Sequence, residues 1–312
     1  MRFGAAFWNS RTDWPSFRDA CLAAERAGFD SLWVDDHLLA DEGDWRSSKL
    51  EGWTSVAALA ALTTRPALGL LVAANTFRNP GLTAKMATTI DHLSGGRFIL
   101  GIGGGWFERE HEAFGLEFGG SVGERLDRLE EGIGLIERLL AGEQVSHTGR
   151  FYTMADALCR PRPLQSPLPI LIGGSGRQKT LRTAARHADL WNGYGEPDRI
   201  EEISAVLAER CAEIGRDFGE IRRTVTMDVA IRGTGAEASA AHRAMARSQG
   251  IAGAHRPEDI EHGLNAGGPP EAIAAYLRDF VVIGVDEVIW VFRSPFDLET
   301  MARLGEVRAA LK

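Results

Sequence analysis

The chain has 312 residues, 44% hydrophobic and 25% charged, enough apolar material for the core of one large soluble domain. Its formal net charge of -8 argues against nucleic acid or an anionic membrane as the main partner. No apolar run is long enough to span a bilayer, no signal-peptide pattern opens the chain, and Cys21, Cys159 and Cys211 are scattered without CxxC spacing, so a cytoplasmic protein without a disulfide framework is expected.

In chain order, Arg2 to Trp8 reads as a first strand and Pro15 to Gly28 as a helix capped by Asp13. Asp30 to Asp35 is a second strand, followed by a polar loop from Asp36 to about Gly52 and a helix from Trp53 to Thr64. Ala67 to Ala74 is the third strand, and Asn79-Pro80-Gly81 opens the next helix. The fourth strand runs through Phe98-Ile99-Leu100-Gly101-Ile102, a continuous apolar run between glycine groups that suits burial on both faces. A loop from Gly104 to about Ser121 leads to a helix from Val122 to Gly142, with Leu126, Leu129, Ile133, Ile136 and Leu140 as its core stripe. Gln144 to Met154 reads as a short hairpin.

Ile170 to Gly173 is the fifth strand with its helix from Gln178 to His187, and Ala188 to Trp191 the sixth with its helix from Ile200 to Gly215. Arg223 to Ile231 is the seventh, followed by a long Ala- and Gly-rich segment from Gly233 to Gly268. The helix Pro269 to Ile283, an eighth strand from Glu287 to Phe292 and the helix Leu298 to Leu311 complete the chain. Eight alternations of strand and helix predict parallel pairing and an α/β fold of the (β/α)8 TIM-barrel type, one domain over residues 1–312. The long connections follow strands two, four and seven, which makes them insertions on the C-terminal face, where barrel enzymes carry their chemistry.

Asp35-Asp36-His37 lies at the end of strand two, where an imidazole can exchange a proton near neutral pH. Among the eight histidines only His37 falls at a predicted strand end; His92, His111, His147, His187, His242, His255 and His262 are read as structural. No HExxH or other metal-ligand spacing occurs, so no metal is expected. Gly101-Ile102-Gly103-Gly104-Gly105-Trp106 resembles a Rossmann fingerprint but breaks it, because Trp106 occupies the last glycine position. Gly173-Gly174-Ser175-Gly176-Arg177 ahead of a helix suits a phosphate, through free amides, a hydroxyl and an arginine. One proton-transfer residue beside a cofactor-like pocket suits redox chemistry.

Several segments together resemble the bacterial luciferase-like superfamily of flavin- and deazaflavin-dependent barrel oxidoreductases. They are Ser31-Leu32-Trp33-Val34-Asp35-Asp36-His37, Glu51-Gly52-Trp53, Thr76-Phe77-Arg78-Asn79-Pro80, Ala84 to Arg97, Leu100 to Trp106 and Ile170 to Gly176. The subgroup it is most similar to uses coenzyme F-420, an 8-hydroxy-5-deazaflavin. The resemblance implies that His37 contacts the deazaflavin and acts as acid or base, with Asp36 as its acidic neighbour. It implies a non-prolyl cis peptide at Leu71-Val72, next to Ala73, backing the ring. Gly104, Gly105 and Trp106 match the loop beside the ring, and Gly173, Gly174, Ser175, Gly176 and Arg177 the phosphate loop. Trp106 stands where some sugar-phosphate dehydrogenases of the group carry a catalytic glutamate, and Glu51 is its possible substitute.

The function implied is hydride transfer between F-420 and a small organic substrate, with residues 233–268 as part of a lid. The alternatives are an FMN-dependent monooxygenase fed by a separate reductase and a non-catalytic flavin-binding protein. A homodimer is the family expectation.

Overall fold

A computed structural model describes residues 1–250 and 265–312 of the chain. These residues form two compact units: residues 1–52, 193–201 and 223–312, and residues 53–192 and 202–222.

The first unit opens with β1 (Arg2–Phe7), α1 (Trp14–Ala27) and β2 (Ser31–Val34). Helix α1 begins where the Asp13 carboxylate accepts from the Ser16 amide, and stops at Gly28, whose φ of 96° only glycine adopts without strain. Strand β1 pairs in parallel with β2 on one side and with β13 (Glu287–Phe292) on the other; β13 pairs in parallel with β10 (Arg222–Met227). The register aligns Phe7 with Val34 and with Phe292, and Met227 with Trp290. The residues that follow (Asn9, Asp35 to His37, Asp228 and Arg293) therefore share one rim. Behind these strands an aromatic cluster fills the core: Phe7 stacks on Phe292 at 5.6 Å, and Phe29 meets Trp290 and Phe292 edge-on at 5.6 and 5.9 Å.

The long segment after strand seven departs from the sequence expectation. Strand β11 (Val229–Ile231) is separate from β10 and pairs in parallel with β12 (Ala266–Gly268). Between them runs α8 (Gly235–Ser248), started by a capping box in which Thr234 and Glu237 bond each other's amides. Residues 251–264, which include His255, His262 and part of the expected lid, lie outside the described residues. Helix α9 (Pro270–Val282) precedes β13, and the final helix is broken into α10 (Leu298–Ala302) and α11 (Leu304–Leu311).

The second unit carries α2 (from Gly52, ending at Leu62), β3 (Ala67–Leu70), β4 (Ala73–Ala74), α3 (Pro80–Ser94), β5 (Phe98–Gly103), α4 (Glu108–Phe114) and α5 (Val122–Leu140). An antiparallel hairpin, β6 (Val145–Thr148) and β7 (Thr153–Ala157), follows, then β8 (Ile170–Gly173), α6 (Thr180–His187) and β9 (Leu190–Tyr194). Helix α7 (Pro197–Glu213) leads on to β10. Strands β3 and β4 pair with β5, β5 with β8 and β8 with β9, all in parallel. Ala74 is level with Gly103, Ile102 with Ile172, and Gly173 with Asn192, so the strand ends form a second rim. The expected third strand is two pieces because the chain breaks at Leu71-Val72, and α4 interrupts the expected loop after strand four.

Helices α5 and α6 are joined by charge. His187 Nδ1 lies 2.9 Å from Glu137 and its Nε2 3.7 Å from Glu130, which also accepts from Arg186 at 2.6 Å and from the Thr183 hydroxyl. Burial disfavours the His187 cation, but the bonds to Glu130 and Glu137 outweigh it and push its pKa up to about 9. Burial likewise disfavours the Glu130 anion, and its bonds to His187, Thr183 and Arg186 bring it down to about 2. The raised histidine contributes stability that is full below its ordinary value of 6.5 and lost as pH rises through about 9. The lowered glutamate contributes stability that is full above 4.5 and lost as pH falls through about 2. The melting temperature is expected to fall between pH 6.5 and 9, and His187→Gln should flatten that slope; an equal slope in the variant would remove His187 as its source.

Candidate active site

On the first rim, β2 ends at Val34 and the next three residues carry the polar groups. Asp35 and Asp36 are buried, and the His37 side chain keeps 18% of its surface exposed. His37 Nε2 lies 3.7 Å from Asp41, one helical turn's spacing further on. Between Asp41 and Asp35 sits Lys49, its side chain only 2% exposed. Lys49 Nζ donates to Asp35 Oδ2 at 2.8 Å and stands 2.7 Å from its Oδ1 as an ion pair, and it also bonds the Ser10 hydroxyl at 3.1 Å and Asp41 at 3.4 Å. Burial presses against the Lys49 charge, but Asp35 and Asp41 more than restore it, and its pKa lies above the usual lysine value. Burial pushes the Asp35 carboxyl up, and Lys49 opposes that push.

The backbone repeats this link. Leu50 donates to the Asn9 carbonyl at 3.0 Å and Arg11 to the Ser48 carbonyl at 2.7 Å, so the loop after β2 is stitched to the loop after β1. Glu51 is half-buried and directly precedes α2. Further round, Glu42 forks onto Arg293 at 2.7 and 2.9 Å, and Arg293 also holds Asp228.

On the second rim the Leu71-Val72 peptide is cis. Leu71 and Ala73 are buried, and Val72 is partly exposed, an apolar point at the break between β3 and β4. The glycines around it make room for the bulge. A Cβ on Gly103 would stand 2.8 Å from Val72 Cγ2, and one on Gly173 3.1 Å from Val72 Cγ1. One on Gly101 would strike the Leu70 carbonyl oxygen. The missing side chains are thus replaced by the bulge itself, which the glycines admit.

Gly104 and Gly105 are half-buried, with Gly105 at a φ of 77° and its carbonyl held by Arg125 Nε at 3.1 Å. Trp106 is 63% exposed and stacks on Phe107 at 5.4 Å. His111 is buried, bonded to Thr76 at 2.7 Å and to the Phe107 carbonyl at 2.8 Å, a structural histidine as expected.

In the second glycine loop, the Gly174 amide is already used, donating to the Asn192 carbonyl at 3.1 Å. Ser175 is half-buried, and Gly176 and Arg177 are exposed. Arg177 pairs with Glu202 on the surface, an interaction of small worth that a ligand can displace. Helix α6 starts at Thr180, two residues later than the sequence suggests, and no side chain caps it. Lys179, which sequence reasoning passed over, stands at that start and bonds the Gly123 carbonyl at 3.0 Å as well as Asp127. An uncapped helix start with two cations beside it suits an anion.

Asp41, Lys49 and Arg293 are likewise site residues that no motif announced. The only sequence signal for Lys49 was that lysine is rare here, occurring at Lys49, Lys85, Lys179 and Lys312. Among the described residues no group of three His, Cys, Asp or Glu side chains gathers to hold a metal, and no helix is long and apolar enough to cross a membrane.

Parallel strands alternating with helices, with chemistry-bearing residues at the strand ends, define a (β/α)8 barrel of the luciferase-like type, an α/β enzyme with insertions on its C-terminal face. The chain belongs to the luciferase-like monooxygenase family, whose model matches residues 2–288, and it is an oxidoreductase of that class.

Among its relatives, an F420-dependent glucose-6-phosphate dehydrogenase of Beutenbergia cavernae is 36% identical over 219 residues, covering 67% of this chain and 62% of that protein. A solved F420-dependent secondary alcohol dehydrogenase, in complex with an F420-acetone adduct, superposes with a TM-score of 0.85 at 19% identity, covering 100% and 99% of the two chains. A riboflavin lyase with modified FMN and riboflavin reaches 0.83 at 16% identity, covering 100% and 91%. These two share the fold.

Proposed function

We propose that the chain is a coenzyme F-420-dependent oxidoreductase that transfers a hydride between the deazaflavin and a small organic substrate. The observation that carries this reading is the 36% identity, over two thirds of the chain, to a protein named for F420 dependence. The residues fit the group in two respects. Val72, with Gly103 and Gly173 packed against it, offers a partly exposed apolar surface for a ring. Ser175, Gly176, Arg177 and Lys179, ahead of the uncapped α6, suit its phosphate.

Bound there, a deazaflavin supplies a two-electron hydride carrier with little reactivity toward oxygen. The chain's own part is positional and protic. His37 holds or moves the accompanying proton at Nε2, with Asp41 facing that nitrogen. Lys49 fixes Asp41 and Asp35, and thereby the loop that carries His37. Asp36 lies next to His37 in the chain, and its burial keeps it out of solvent. Trp106 offers an exposed indole where a substrate can stack.

The family model and the FMN-containing neighbour favour a second reading, an FMN-dependent monooxygenase supplied by a reductase. Titration of the purified apo-protein with F-420 and with FMN separates the two. The expected result is saturable F-420 binding at least tenfold tighter than FMN, weakened about tenfold by Arg177→Ala with Lys179→Ala. Tight FMN binding with no binding of F-420 would overturn the assignment, and oxygen uptake with reduced FMN would establish the second reading.

A further inference from the structure

A cavity of about 400 Å³ opens in the first unit between α8 and the ends of β11 and β13. Helix α8 presents Ala241, His242, Met245 and Ser248 to it, the spacing of one helical face. Most of its wall is apolar, with Val229, Met245, Val291 and Phe296 among the lining residues. At about 30 Å³ for each small atom group, the share of a liquid water, the space holds roughly a dozen non-hydrogen atoms.

Its polar content divides into two kinds. The charged groups are already matched: Arg293 by Glu42 and Asp228, and Arg232 by Asp297 and Glu299 at 3.0 and 3.2 Å. His242 is the exception. Its side chain is only 10% exposed, and among the described residues its ion-pair partner Asp228 stands 4.0 Å from Nε2, beyond hydrogen-bond reach. His242 reads as structural in the sequence; the fold turns it into this cavity. Burial holds its pKa below the ordinary value, against the pull of Asp228 and Glu42 and with the push of Arg293 and Arg243, which favours the neutral ring. A neutral imidazole offers one donor and one acceptor. A ligand hydroxyl or carbonyl in the cavity can hydrogen-bond such a ring.

The same corner is joined to the first rim. Arg293 is held by Glu42, whose neighbour Asp41 faces His37. We propose that this cavity is the substrate chamber, and that it takes an uncharged organic molecule: an apolar body of about a dozen atoms or fewer with one hydroxyl or carbonyl, bound by His242. This rests on the oxidoreductase reading above. An anionic substrate is disfavoured because it would have to displace carboxylates already paired with Arg293 and Arg232 to find a counter-charge. The chamber therefore selects neutral alcohols and ketones against carboxylated or phosphorylated ones.

The test is calorimetric titration of the full-length protein at pH 7.5 with cyclohexanol and with cyclohexanecarboxylate, repeated with F-420 bound. The expected result is saturable cyclohexanol binding, with the carboxylate at least tenfold weaker. His242→Leu should weaken cyclohexanol about tenfold, and His242→Gln, which keeps a donor and an acceptor, should recover part of the loss. Met245→Trp, which fills the cavity, should abolish binding while circular dichroism and melting temperature stay native. Equal or tighter binding of the carboxylate, or unchanged binding in Met245→Trp, would overturn the proposal. Failure of F-420 to bind, with the cyclohexanol result intact, would overturn the cofactor reading and leave the chamber standing.

Discussion

His37→Ala is expected to lower turnover with F-420 by about 10²- to 10⁴-fold, the contribution of a positioned general acid or base. The parallel register of β1 and β2 fixes where strand two ends, so His37 is delivered to the rim by backbone pairing. Its side chain is partly enclosed and faces Asp41 at 3.7 Å, which restrains the ring without excluding it from solvent. The dissociation constant for the cofactor should move by less than about threefold, because the loop proposed to hold its phosphate and the Val72 surface remain. The pH dependence of the rate should change in the variant, because the group that gives or takes the proton is gone. Stopped-flow turnover across pH, beside cofactor titration, makes both measurements. A variant that binds cofactor and turns over within threefold of wild type at every pH would remove His37 from the chemistry.

Lys49→Met is expected to cost about 3–5 kcal/mol of stability, the range for breaking a buried ion pair from one side. Both partners are enclosed, with 2% of the lysine and 4% of the Asp35 side chain exposed. Removing the ammonium leaves two carboxylates, Asp35 and Asp41, facing each other without a cation. Lys49→Met combined with Asp35→Asn should recover most of the loss, since it removes the charge left unpaired. Urea denaturation of the two variants measures the difference. A loss under about 1 kcal/mol in the single variant would show that water reaches the pair. Turnover should also fall in the single variant, because Lys49 ties the His37 loop to the loop after β1.

Much of the architecture was legible in the sequence because its signals are local. Apolar runs of strand length, glycine stops and capping residues such as Asp13 and Asn79 act within a few residues, and those elements stand within a few residues of where they were expected. The elements misread are those whose pairing is remote. Strand β11 belongs with β12, thirty-odd residues later, and nothing within Val229–Ile231 distinguishes it from a continuation of β10. The break at Leu71-Val72 was expected from family resemblance alone, since the residues themselves read as ordinary core.

What the sequence determined by itself is therefore the alternation of strands and helices, the family, and the placement of His37 and the two glycine loops at strand ends. Each of these follows from residues that are neighbours in the chain. Only the tertiary structure decided how the charges combine. Lys49 is 14 residues from Asp35 and Arg293 is 251 from Glu42, separations at which sequence carries no pairing signal. It also decided that the glycines at 101, 103 and 173 make room for Leu70 and Val72, and that His242 turns inward to a cavity. Packing and charge compensation are properties of distances that exist only after folding.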